Sequence, residues 1–74
     1  MTVNDLKSGQ SGKIINVGGQ GRIRRRLLDL GIHAGETIKV IKAAPLKDPL
    51  EISLNNGHIS IRRTEAILIN IEPL

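Results

Sequence analysis

The chain has 74 residues, with 11 Lys and Arg against 7 Asp and Glu for a formal charge of +4, and no Cys, Phe, Tyr or Trp. Its length fits one domain over residues 1–74, near the lower limit for folding without a staple, so a strained or cavity-rich catalytic centre is not expected. The missing residue types exclude disulfides, thiolate metal sites and a cysteine nucleophile. They also exclude the aromatic platforms that single-stranded nucleic acids and Pro-rich peptides usually require.

Met1-Thr2-Val3-Asn4-Asp5 lacks the basic and apolar segments of a secretory leader. No apolar run approaches the ~20 residues of a membrane-spanning helix. The expected location is the cytoplasm.

Twelve residues are Ile, most of them at alternate positions in short runs bounded by Gly, Asn or Pro. Alternation of this kind marks strands, because successive side chains point to opposite faces. Gly9 and Gly12 frame a turn before a first strand over 13–17. Between it and the next strand, the segment from Arg22 to Leu30 follows a helical period instead. Ile23, Leu27 and Leu30 fall within about 60° of one another and predict a core stripe. Gly18, Gly19 and Gly21 mark the entry of this helix, and Gly31 is suited to cap its end.

The second strand is predicted over 37–43, followed by a loop bracketed by Pro45 and Pro49, neither of which can donate to a ladder. Leu50, Ile52 and Leu54 share one face of a third strand. Asn55-Asn56-Gly57 signals a hairpin into a fourth strand carrying Ile59 and Ile61. Thr64-Glu65-Ala66 suits one helical turn. A last strand over 67–71 is predicted to face Ile67, Ile69 and Ile71 inward. Five short strands avoid exposed edges by closing, so a small closed β-barrel with one short helix is expected.

Arg22, Arg24, Arg25 and Arg26 form the strongest charge feature, four arginines in five positions. Arg22, Arg25 and Arg26 point away from the stripe and Arg24 flanks it. Asp29 is placed to neutralise Arg25 or Arg26. Such a face is either a solvated exterior or a docking surface for an acidic partner, for which the planar guanidinium is well suited. Leu28 lies about 130° from the stripe centre and is expected to be exposed or shielded only by arginine side chains. It is the apolar anchor of the docking reading. Arg62 and Arg63 form a second basic pair that the fold could bring beside the helix.

Other signals are weaker. Gly18-Gly19-Gln20-Gly21 precedes a helix, but neither the dinucleotide nor the P-loop fingerprint is completed. His33 and His58 fall in predicted turns without a second ligand at metal spacing, so no metal site and no cofactor are expected. Glu51 and Glu65 are scattered and form no obvious acid–base pair, and no Ser has a local His/Asp constellation. A catalytic residue is not expected.

The run Arg25-Arg26-Leu27-Leu28-Asp29-Leu30-Gly31-Ile32, then Gly35, then Ala44-Pro45-Leu46-Lys47-Asp48-Pro49, resembles the FeoA family. The match continues through Leu50–Leu54 and Ser60-Ile61-Arg62-Arg63 to the closing strand. The resemblance implies a mainly β, SH3-like β-barrel of about five strands with an inserted helix near 22–30. It also implies a non-enzymatic, cytoplasmic accessory protein of bacterial ferrous iron uptake. The implied partner is the FeoB membrane transporter, at its cytoplasmic G-protein domain. Ala34 stands where the family commonly has Pro and Lys47 where it commonly has Gly; a positive φ at Lys47 would strain its loop.

The leading expectation is therefore a regulator that binds FeoB, with Arg24, Arg25, Arg26, Leu28, Arg62 and Arg63 as partner-binding candidates. Direct membrane insertion is not expected, and a weak homo-oligomer is allowed. Two alternatives are a basic nucleic-acid-binding module, disfavoured by the modest charge, and a metal-sensing SH3-like domain. The latter resembles the C-terminal domain of iron-dependent repressors of the DtxR type.

Overall fold

The computed structural model describes residues 1–43, 47–55 and 57–74. The expectations that concern Ala44, Pro45, Leu46 and Asn56 lie outside the described residues. In chain order the elements are a 3-10 turn (Val3–Asp5), β1 (Ser11–Val17), α1 (Gly21–Asp29), β2 (Thr37–Ala43), β3 (Leu50–Leu54), β4 (Gly57–Ile61), α2 (Arg63–Ala66) and β5 (Ile69–Pro73). The strands form one antiparallel sheet in the order β4-β3-β2-β1-β5.

Alternation determines what the sheet buries. Leu50, Ile52 and Leu54 of β3, Ile38 and Val40 of β2, Ile14 of β1, and Ile69 and Ile71 of β5 all point into one core. Val3, Leu6, Leu27, Ile32, Ile61 and Ala66 complete it, so the buried hydrophobic side chains are all aliphatic. Each fully buried Leu or Ile contributes about 1.5–3 kcal/mol, and their sum lets so short a chain fold. Close packing reaches the backbone at Gly12, where an added Cβ would lie 2.6 Å from Ile71 Cδ1.

Two bulges curl the sheet. The ladder skips Ile15 between Ile14 and Asn16, and Ile41 between Val40 and Lys42. A bulge adds local twist and redirects its side chain, and Ile15 is 53% exposed. The result is barrel-like but not closed. Among the described residues no ladder joins β4 to β5; α2 occupies the chain between them, and Thr2 bridges to Asn70 on β5.

Three further expectations are corrected. Ile67 is 52% exposed, because it caps the end of α2 and β5 begins only at Ile69. The fourth strand starts at Gly57, so His58 lies in a strand rather than a turn. Of the predicted helical stripe only Leu27 is fully buried, while Ile23 and Leu30 are half-buried.

Candidate functional site: the cationic face of α1

The helix starts and stops where local chemistry directs. Gln20 is the N-cap, in extended conformation, and offers no side-chain cap. At the other end Gly31 adopts φ 93°, a left-handed value that a side chain would resist. Gly31 N–H donates to Leu28 O at 3.0 Å and Ile32 N–H to Leu27 O at 3.1 Å. This pair of bonds is a Schellman ending, and it carries Ile32 into the core beside the last turn. The His33 ring adds a contact from Nε2 to Leu28 O at 2.8 Å.

The arginines divide by what they touch. Arg26 reaches Glu65, and its Nη1 donates to Glu65 Oε2. Glu65 is 4% exposed and is the one buried charged residue among those described. Its other oxygen accepts from Arg62 N–H at 2.8 Å and so opens the α2 turn. One carboxylate thus joins α1 to the β4–β5 connection. Asp29 forms no ion pair among the described residues. The expected surface pairing with Arg26 gives way to Glu65, because a buried carboxylate needs its counter-ion and a solvated one does not.

Arg63 is likewise engaged. Its Nε donates to Lys47 O at 2.6 Å, its Nη1 to Asn4 O at 3.3 Å and Asn4 Oδ1 at 3.1 Å, and its N–H to Asp48 Oδ1 at 3.0 Å. It ties the N-terminal turn and the β2–β3 connection to α2. Arg24 is exposed and donates from Nε to Val17 O at 3.3 Å. The side chains of Arg22, Arg25 and Arg62 are exposed and meet no hydrogen-bonding or ionic partner among the described residues.

Gly21, Arg24, Arg25, Leu28 and Asp29 line an open groove of about 340 Å³. Their spacing of i, i+3, i+4, i+7 and i+8 makes them a single face of α1. Leu28 is half-buried there and shares the groove lining with two arginines. Of the six sequence candidates, the structure places Arg24, Arg25 and Leu28 together. Arg62 is joined through Glu65 to the Arg26 end of the helix, and Arg63 lies with Asn4 and Lys47.

Glu65 was the residue that sequence reasoning missed. Its signal is a Glu three positions after the residue opening a helical turn, a spacing that lets the carboxylate reach back to the backbone. Among the described residues no three His, Asp or Glu gather in a way that could hold a metal ion. No helix among them is long and apolar enough to cross a membrane.

A curled five-stranded sheet with a helix inserted after its first strand, and a short helical turn before its last, defines a small SH3-like domain. The chain belongs to the FeoA family: the FeoA domain family matches residues 1–73. It is 36% identical over 72 residues to the Fe(2+) transport protein A/Fe(2+) transporter FeoB fusion protein of Porphyromonas gingivalis. That match takes in 97% of this chain and 8% of the fusion protein. The solution structure of FeoA from Chlorobium tepidum is 38% identical, with a TM-score of 0.91, over 100% of this chain and 70% of that one. FeoA of Stenotrophomonas maltophilia, described as a prokaryotic SH3 domain protein and complexed with zinc, is 25% identical with a TM-score of 0.85. It is matched over 97% of this chain and 89% of that one. A manganese-dependent transcriptional repressor shares the fold at 12% identity and a TM-score of 0.88, over 99% of this chain and 40% of the repressor. The family is one of ferrous iron transport.

Proposed function

We propose that the chain is a cytoplasmic, non-enzymatic accessory protein of ferrous iron uptake that docks on the cytoplasmic G-protein domain of a FeoB-type transporter. The observation carrying this reading is the face of α1, where the exposed Arg24 and Arg25 line one groove with the half-buried Leu28. The Porphyromonas gingivalis relative, with transport protein A and the FeoB transporter in one chain, supports the choice of partner. Lacking aromatics, the domain would recognise its partner by charge and one aliphatic anchor, with arginine forks taking carboxylates around a small apolar contact.

Titration of the protein against the cytoplasmic part of FeoB tests this. Arg25→Glu/Leu28→Asp is expected to weaken binding at least about tenfold, about 1.4 kcal/mol, while the far-ultraviolet dichroism stays unchanged. Equal affinity of the wild type and the double variant would remove α1 from the interface.

A further inference from the structure

The two outer strands of the sheet are treated differently. The free side of β5 is taken by the N-terminal residues: Ile71 N–H donates to Met1 O at 2.8 Å, and Thr2 bridges to Asn70. Among the described residues β4 pairs with β3 alone, in unbroken register, and Gly57-His58-Ile59-Ser60-Ile61 contains no Pro, Lys, Arg, Asp or Glu. Bulges, prolines and charges are the usual means of blunting an edge strand. β4 has only its shortness.

Ladder parity fixes which backbone groups face outward. Leu54 and Gly57 flank a two-residue connection, which makes Leu54–Gly57, Ile52–Ile59 and Leu50–Ile61 the hydrogen-bonded pairs. His58, Ser60 and Arg62 then turn their N–H and C=O away from β3. Arg62 agrees with this parity: its N–H donates to Glu65 Oε1, and its C=O accepts from the N–H groups of Glu65 and Ala66, both at 2.9 Å. The outward N–H and C=O of His58 and Ser60 meet no partner among the described residues.

We propose that this edge pairs with the same edge of a second copy of the chain, antiparallel about a two-fold axis, with His58 of one copy opposite Ser60 of the other. Each copy offers two N–H and two C=O groups, and this register joins all of them in four bonds. A register with Ser60 opposite Ser60 would set His58 against Arg62, whose backbone groups are already engaged by Glu65 and Ala66. In the chosen register Ile59, half-buried against the core, faces its counterpart across a non-hydrogen-bonded pair, where side chains come closest. The antiparallel direction sends Arg62 and Arg63 to opposite ends of the seam, so the basic pairs of the two copies stay apart. A seam of two five-residue edges falls well below the ~1,200 Å² of a standard stable interface. The pair is therefore weak and fills only at high concentration.

Translational diffusion and amide resonances measured from micromolar to millimolar protein test the proposal. Diffusion is expected to slow towards that of a dimer, with His58 and Ser60 amides shifting most and gaining protection from exchange. Ser60→Pro removes an outward N–H without touching a β3 bond, and Ile59→Lys sets like charges at the axis. Both variants are expected to remain monomeric across the same range; if Ser60→Pro does not fold, Ile59→Lys alone decides. Concentration-independent diffusion, association that survives in a folded variant, or shifts confined to α1 or the chain ends would overturn the pairing. So would β4 amides that move only when the cytoplasmic part of FeoB is added, since the edge would then serve a strand of that partner.

Discussion

Lys47 holds φ 66° while its carbonyl accepts the Arg63 Nε–H. A left-handed conformation costs a residue with a Cβ about 1–2 kcal/mol, and glycine recovers it less its own entropy. Lys47→Gly is therefore expected to stabilise the protein by about 0.5–1 kcal/mol, read as a small rise in melting temperature. The opposite sign holds at Gly12, where a new Cβ meets Ile71 Cδ1 at 2.6 Å and Glu72 O at 3.3 Å. Gly12→Ala is expected to cost about 1–3 kcal/mol: Ile71 Cδ1 would have to shift, and Ile71 Cβ at 3.1 Å and Glu72 O at 3.3 Å leave β5 little room to give. A thermal or urea melt would detect the loss, and an unchanged midpoint would show that β1 and β5 can separate there.

The attachment of α1 combines one buried leucine, a Schellman ending and the Arg26–Glu65 pair. Arg26→Ala leaves a buried carboxylate with only the Arg62 N–H. It is expected to destabilise by about 1–3 kcal/mol, less than for a wholly buried pair because the Arg26 side chain is 54% exposed. Arg25→Ala, at an exposed side chain without an intramolecular partner, should stay within about 0.5 kcal/mol. Adding Glu65→Gln to Arg26→Ala removes the unpaired charge, so the two changes are expected to be non-additive in a double-mutant cycle of melts. The strands were readable because alternation is local: Leu50, Ile52 and Leu54 announce their face without reference to the rest of the chain. Gly31 likewise announced the end of α1. What stayed hidden depended on distant partners. Glu65 meets Arg26 across 39 positions, Ile67 is turned outward by the cap of α2, and Ile23 is half-exposed because α1 lies against the sheet rather than within it.

For the whole molecule, a charge of +4 and a nine-residue basic helix set the reach of its electrostatics. Association with an acidic partner is expected to slow as salt rises, since surface charge chiefly governs encounter rate. Arg22, Arg24 and Arg25 could meet only a few phosphates, each releasing about 0.9 counterion on duplex DNA. Retention on a DNA column is therefore expected to be absent at about 0.15 M salt; firm retention there would favour a nucleic-acid partner.

Because the chain contains no Phe, Tyr, Trp or Cys, the protein is optically quiet in the near ultraviolet. It has no intrinsic indole or phenol fluorescence, so unfolding must be followed through the peptide bond or methyl resonances. The same silence is useful: a single tryptophan placed on the surface would report its own surroundings against an empty background.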